Sequence, residues 1–170
     1  MTPELSSARI FLTPLTRVHQ HHVDWLNDSE VTRYSEQRHQ RHTRASVEHY
    51  LKTLANNKSH IWAIFDEDIM HIGNITADID CNNRIADLGI LIGNKKVWGK
   101  GYGTTAWLMV LNWLLYESGL YKAEAGCMAN NAAMLKIFKH SLMQYEGRRI
   151  KHFQFNENER VDAVYYGISK

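Results

Sequence analysis

Apolar and polar residues alternate with a period of two in several short stretches of this chain and follow a helical period in others, and the order of the two patterns outlines a fold. Residues 8–15 set Ile10 and Leu12 against polar neighbours and predict a short strand, after which Thr16 can cap a helix carrying Val23, Trp25 and Leu26. Asn27-Asp28-Ser29 ends that helix. Beyond a polar span with Tyr34, Glu36, Arg38 and Arg41, Thr43 caps a second helix running to about residue 55, with Val47, Tyr50, Leu51 and Leu54 on one face. Strand-like segments follow at 60–65, 69–79 and 84–92, separated by turn-rich Asp66-Glu67-Asp68 and Asp80-Cys81-Asn82-Asn83, which reads as an antiparallel meander. A glycine-rich segment then opens a helix over about 101–117, apolar on most sides and therefore expected to be largely buried, with Gly119 stopping it. A strand at 121–128, a helix from Asn130 or Asn131, and strands near 144–155 and 160–168 complete the order. A strand that leads through a long helix into another strand requires a local parallel pair, so the sheet should be mixed.

At 170 residues the chain fits a single domain, 1–170, with a substantial core; Pro and Gly are sparse and no linker or repeat interrupts it. The first twenty residues contain Arg9, Arg17 and His19 without the apolar core of a signal peptide, and the longest nearly apolar run, 106–115, is broken by Asn112 and too short for a bilayer. A soluble, cytoplasmic protein without membrane partners is the expectation. Cys81 and Cys127 form no metal spacing and no disulfide framework, which suits packing in a reducing compartment. A formal net charge of +2 gives no footprint for nucleic acid. His19 and His22 can share a helix face, but with only Asp24 among nearby carboxylates they do not complete a metal site, and solvated surface histidines are expected.

The candidate chemistry sits at Lys95-Lys96-Val97-Trp98-Gly99-Lys100-Gly101-Tyr102-Gly103-Thr104-Thr105. Glycines admit positive φ and close approach of the backbone, and the first turn of the following helix leaves N–H groups without intrahelical partners. The segment is an anion cradle suited to a phosphate or pyrophosphate. It is not a P-loop, since no Gly-Lys precedes Ser or Thr. A Rossmann motif is excluded because the preceding strand ends near Ile92, about eight residues too early for that turn.

Together with Trp25-Leu26-Asn27-Asp28, residues 86–93, Asn131-Ala132-Ala133-Met134 and Tyr145-Glu146-Gly147-Arg148, this segment resembles the GNAT acetyltransferases, in particular the branch of ribosomal-protein alanine N-acetyltransferases. The family signature Gln/Arg-x-x-Gly-x-Gly/Ala falls on residues 98–103, with Trp98 in its first position. The resemblance spans nearly the whole chain. It implies an α/β fold whose mixed, mostly antiparallel sheet has helices on both faces and a splayed parallel strand pair, 84–92 with 121–128. Acetyl-CoA, without a metal, would be held by Ile90, Leu91, Ile92, Trp98, Gly99, Lys100, Gly101, Tyr102, Gly103, Thr104, Asn131, Lys136 and Phe138, with Lys95, Lys96 and Lys100 near the phosphates. Its pantetheine arm would pair with the backbone near residues 90–92 as an added strand does.

The same resemblance implies transfer of an acetyl group to a primary amine by direct attack in a ternary complex. Asp87 stands where related enzymes carry a catalytic glutamate, and a backbone N–H near Leu91 would face the thioester oxygen. A solvent-facing strand residue is the alternative for Asp87. At about pH 7 deprotonating a lysine-like amine costs roughly 4.6 kcal/mol and an α-amine about 1, so the demand on a base depends on the acceptor. The acceptor implied by the resemblance would be a protein N-terminal α-amine or a nucleotide-linked amino sugar, contacted by Trp25, Tyr34, Glu36, Arg38 and His42, with His152 and Phe153 nearby; a homodimer is an arrangement many relatives adopt. Phe138 replaces the usual tyrosine that protonates the leaving thiolate, which leaves water or Tyr145 for that task, or else a weakly catalytic CoA-binding domain.

Overall fold

The computed structural model describes residues 1–56 and 59–170. Among the described residues eight strands form one sheet in the order β1-β2-β3-β4-β5-β6-β8-β7. The strands are β1 (Leu5–Ser6), β2 (Ile10–Pro14), β3 (His60–Asp66), β4 (His71–Asp80), β5 (Ile85–Ile92), β6 (Lys122–Met128), β7 (Gln144–Asn156) and β8 (Glu159–Ser169). Every neighbouring pair is antiparallel except β5–β6. The mixed sheet, the meander and the parallel pair all match the expectation.

The helices are α1 (Gln20–Asn27), α2 (Arg44–Asn56), α3 (Tyr102–Asn112) and α4 (Ala132–His140). Thr43 does cap α2: its Oγ1 accepts the Ser46 N–H while Ser46 Oγ accepts the Thr43 N–H, a reciprocal capping pair. Thr16 does not cap α1, which begins at Gln20 without a side-chain cap. The chain before it stays on the sheet, where the Leu15 N–H bonds Ile61, and then turns Val18 into a small core with Val23 and Val47. The predicted strand start at Ile69 is also displaced. Ile69 belongs to a tight turn in which Asp66 Oδ1 accepts the Asp68 and Met70 N–H groups.

The α3 helix is buried along Ala106, Trp107, Val110 and Leu111, then widens into a π-helical turn over Trp113–Glu117 that places Leu114 and Leu115 in the core. Strand alternation divides the centre of the sheet into two unlike faces. One face, with Ile75, Ala77, Ala86, Leu88, Ala123 and Ala125, joins the core cluster with α3 and Phe138 of α4. The other carries Asn74, Thr76 and Asp78 on β4, Asp87 and Gly89 on β5, and Glu124 and Gly126 on β6. Cys127 is buried, and burial pushes its thiol up to about 12, which fits the packing role expected from the sequence, whereas Cys81 is exposed in the turn after β4 and does not pack.

Candidate active site

The β5–β6 ladder runs Ile85–Lys122, Ala86–Ala123, Asp87–Glu124 and goes no further, although β5 continues to Ile92 and β6 to Met128. Two central strands therefore part inside a continuous sheet. Antiparallel pairing fixes which backbone groups face the gap. The Gly93 N–H donates to the Ile72 carbonyl of the neighbouring strand, so by alternation the Leu91 amide also points to β4, while Ile90 and Ile92 point toward β6. This corrects the expected role of Leu91: the amides that face the divergence are those of Ile90 and Ile92. The Ile92 carbonyl is engaged by Trp98 Nε1 at 2.8 Å.

At the apex lie three acids. Asp78, Asp87 and Glu124 are in register across β4, β5 and β6 on the face away from α3. Asp87 has an accessible side chain, yet it is crowded by protein atoms. That desolvation, followed by the charges of Glu124 and Asp78, pushes its carboxyl up to about 6. Glu124 shares Lys122 with Glu146, at 2.8 and 2.7 Å. A carboxylate poised near neutrality at the point where strands part is a competent general base.

Just past β5 the cradle takes the shape its glycines allow. Gly99 and Gly101 sit at φ +75° and +88°, a region that favours glycine, and Gly101 directly precedes the first turn of α3. Gly103 in the first turn of α3 faces Ile90 and Ile92 of the free part of β5 and Ile137 of α4. Lys96 and Lys100 are exposed, and Thr104 is half-buried. The Lys95 ammonium is already engaged by two carboxylates, Asp28 at 2.8 Å and Glu30 at 2.9 Å. Two residues that sequence reasoning missed brace the cradle from below. Arg9 donates to the Lys100 carbonyl and lies 4.6 Å over the Tyr102 ring, and Glu67 accepts from the Tyr102 hydroxyl at 2.8 Å. Both come from distant parts of the chain, and no local pattern marks them.

The remaining candidates divide. Asn131 caps α4 by accepting the Met134 N–H at 3.1 Å, and Lys136 is exposed on that helix. Phe138 is fully enclosed, edge-on to Trp107 and stacked 4.7 Å from Tyr166, so it is a core residue and not a wall of the cleft. Tyr145 lies one ring further out, edge-on to Tyr166. Trp25 rests on the backbone of Gly93. Tyr34 stacks on Phe155 at 5.7 Å, and Glu36 pairs with Arg38 and His39. His42 is buried with Nε2 against the Gln37 carbonyl, beside an open hollow between α1 and α2 and apart from the strand divergence. His152 stacks edge-on to Phe153 on β7.

His19 and His21 are exposed as expected, but His22 is buried. His22 of α1 faces half-buried His71 of β4, where His21 Nε2 and His71 Nδ1 are 2.8 Å apart and His71 Nε2 is 2.9 Å from Asn74 Oδ1. Among the described residues no group of three His, Cys, Asp or Glu could hold a metal ion. Burial, followed by the neighbouring His71, His21, His19 and His42, lowers His22 to about 4. The folded protein thus keeps His22 neutral where the unfolded chain protonates near 6.5. The stability tied to this residue is present above pH 6.5 and is lost as pH falls toward 4, by about 3 kcal/mol. Thermal unfolding followed across this range should show that loss, and His22→Leu should flatten it.

Residues 9–144 match the acetyltransferase (GNAT) domain family. The chain belongs to the GNAT acetyltransferases. Solved structures agree on the fold. A GNAT acetyltransferase of Bacillus anthracis has a TM-score of 0.79 at 19% identity, covering 98% of each chain. RimL, a ribosomal L7/L12 α-N-protein acetyltransferase solved with coenzyme A, reaches a TM-score of 0.84 at 13% identity over 98% of each chain. Spermidine N-acetyltransferase of Vibrio cholerae, solved with CoA and spermine, reaches 0.81 at 16% identity over 96% of each. An uncharacterized Methanocaldococcus jannaschii protein is 30% identical over 95 residues, 54% of this chain, and the match spans about a fifth of that protein's length. Among the described residues no helix of this GNAT domain is long and apolar enough to cross a membrane.

Proposed function

We propose that this GNAT protein moves the acetyl group of acetyl-CoA onto the primary amine of a cationic acceptor, by direct attack in a ternary complex. The parting of β5 and β6 at the Asp87–Glu124 pair carries this reading. Acetyl-CoA supplies the activated thioester. Residues 99–104 offer its phosphates glycine-shaped backbone and the start of α3, with Lys96, Lys100 and Arg9 nearby. The amides of Ile90 and Ile92 face the gap where the thioester oxygen develops charge. Asp87 takes the amine proton, directly or through one water, because it titrates close to the working pH. With Phe138 enclosed, the leaving thiolate takes its proton from water. A CoA-binding domain with little turnover is the second reading, favoured only by that phenylalanine.

The acids also bear on the acceptor. Three carboxylates in register favour a molecule carrying positive charge beyond the reacting amine, such as a basic peptide N-terminus, over a sugar linked to anionic phosphates. Polyamines belong in the same class and are bound by a protein of this fold. The test compares pairs of amines that differ by one remote positive charge. The charged member should have the lower KM, and Asp78→Asn should remove about 1 kcal/mol of that preference, roughly fivefold. Equal KM values for each pair in the parent protein would refute the charge-based selection.

A further inference from the structure

The segment between Trp25 and Arg38 touches both arms of the strand divergence. On the β5 side, the Trp25 indole lies against Gly93, and Asp28 and Glu30 hold Lys95. On the β6 side, the Arg38 guanidinium lies 3.9 Å from the sulfur of Met128, the last residue of β6, and donates to the Gln154 carbonyl of β7 at 2.9 Å. Tyr34 stacks on Phe155 of the same strand, and Arg33 lies over both rings at 5.5 and 5.4 Å.

Between these anchors the segment is internally braced. Buried Thr32 bonds the Asp28 carbonyl through both its N–H and its hydroxyl, at 3.0 and 2.9 Å, and the Ser35 N–H donates to the Thr32 carbonyl at 2.8 Å. Asp28 Oδ1 accepts the Glu30 N–H. A chain of such turns transmits position from one end to the other.

We infer that residues 25–38 form a strap across the mouth of the divergence and that Arg38 is the positioning residue that fixes its far end. The inference rests on the acetyl-transfer reading above. Arg38 does not contact the acceptor. Its side chain is 13% exposed and is engaged by Glu36, the Ser35 carbonyl and the Gln154 carbonyl, a planar fork that a lysine cannot reproduce. Through the strap it sets the wall against which the acceptor lies, while none of its own bonds reaches the cradle.

The test replaces Arg38 by Ala, and by Lys as the milder change should Arg38→Ala fold poorly. The acceptor KM should rise about tenfold or more with kcat changed less, acetyl-CoA affinity should stay within about twofold, and Arg38→Lys should recover only part of the loss. Amide hydrogen exchange should quicken together in residues 28–38 and 150–156 and stay unchanged in β5. An unchanged acceptor KM, or equal losses in kcat and in acetyl-CoA binding, overturns the inference. If the parent protein acetylates no amine, the transfer reading fails by itself, and the strap is then judged by exchange alone: unchanged rates in both segments refute it.

Discussion

Replacing Asp87 by Asn should lower kcat roughly 100-fold at about pH 7.5, equivalent to about 2.7 kcal/mol of transition-state stabilisation, without weakening acetyl-CoA. Two further signs separate this from a general loss of structure. In the parent protein kcat/KM should climb through pH about 6 as Asp87 ionises, and in the variant that inflection should vanish. The stability should move the opposite way to activity. A carboxyl whose folded pKa lies above its unfolded value of 3.8 is penalised by folding once ionised, so at neutral pH the neutral amide should raise Tm. The same three carboxylates that make the site also strain it. A normal rate in Asp87→Asn would assign proton removal to water or to Glu124, and would leave Asp87 as a surface charge of the sheet.

Gly93→Ala should lower both stability and acceptor binding. Gly93 is buried where β5 ends, and a Cβ there would fall inside the Trp25 indole ring, which cannot give way as a flexible side-chain end would. Overpacking of this kind costs about 1–3 kcal/mol, which for a chain of this size lowers Tm by roughly 2–12 °C. The functional damage should be local. Displacing Trp25 moves α1 and the Asp28–Lys95 contact together, so the acceptor KM should rise more than the acetyl-CoA dissociation constant. Thermal unfolding and the two binding measurements check this, and a variant as stable and as active as the parent would show that Trp25 does not anchor the strap.

How far the sequence foretold all this depends on the range of the interactions. The meander, the glycine cradle and the parallel β5–β6 pair were legible because periodicity and glycine spacing are local properties. Asp87 was singled out through the resemblance, but its perturbation arises first from desolvation and then from Glu124 and Asp78, which strand register alone brings beside it. Leu91 was misread for a related reason: which amides face the gap follows from the pairing phase of β4 and β5, and no single-strand pattern records it. Tyr34, Glu36 and Arg38 stand out in the sequence as a polar, aromatic cluster, yet the β7 partners of Tyr34 and Arg38, Phe155 and Gln154, lie far along the chain. A charged side chain bound to a distant carbonyl looks, in sequence, like one free to meet a ligand. His22 shows the reverse case, since burial on the inner side of α1 turned an expected surface histidine into a neutral, packed one.

The measurement that tests the central claim most directly is product analysis by mass spectrometry after incubation with acetyl-CoA and a panel of basic peptide N-termini, polyamines and amino sugars, with CoA release followed in parallel. The account predicts an N-acetylated cationic amine formed in step with free CoA, and loss of both in Asp87→Asn. Tight binding of acetyl-CoA with no acetylated amine and no CoA release across the panel would contradict it, and would make this GNAT domain a CoA-binding module.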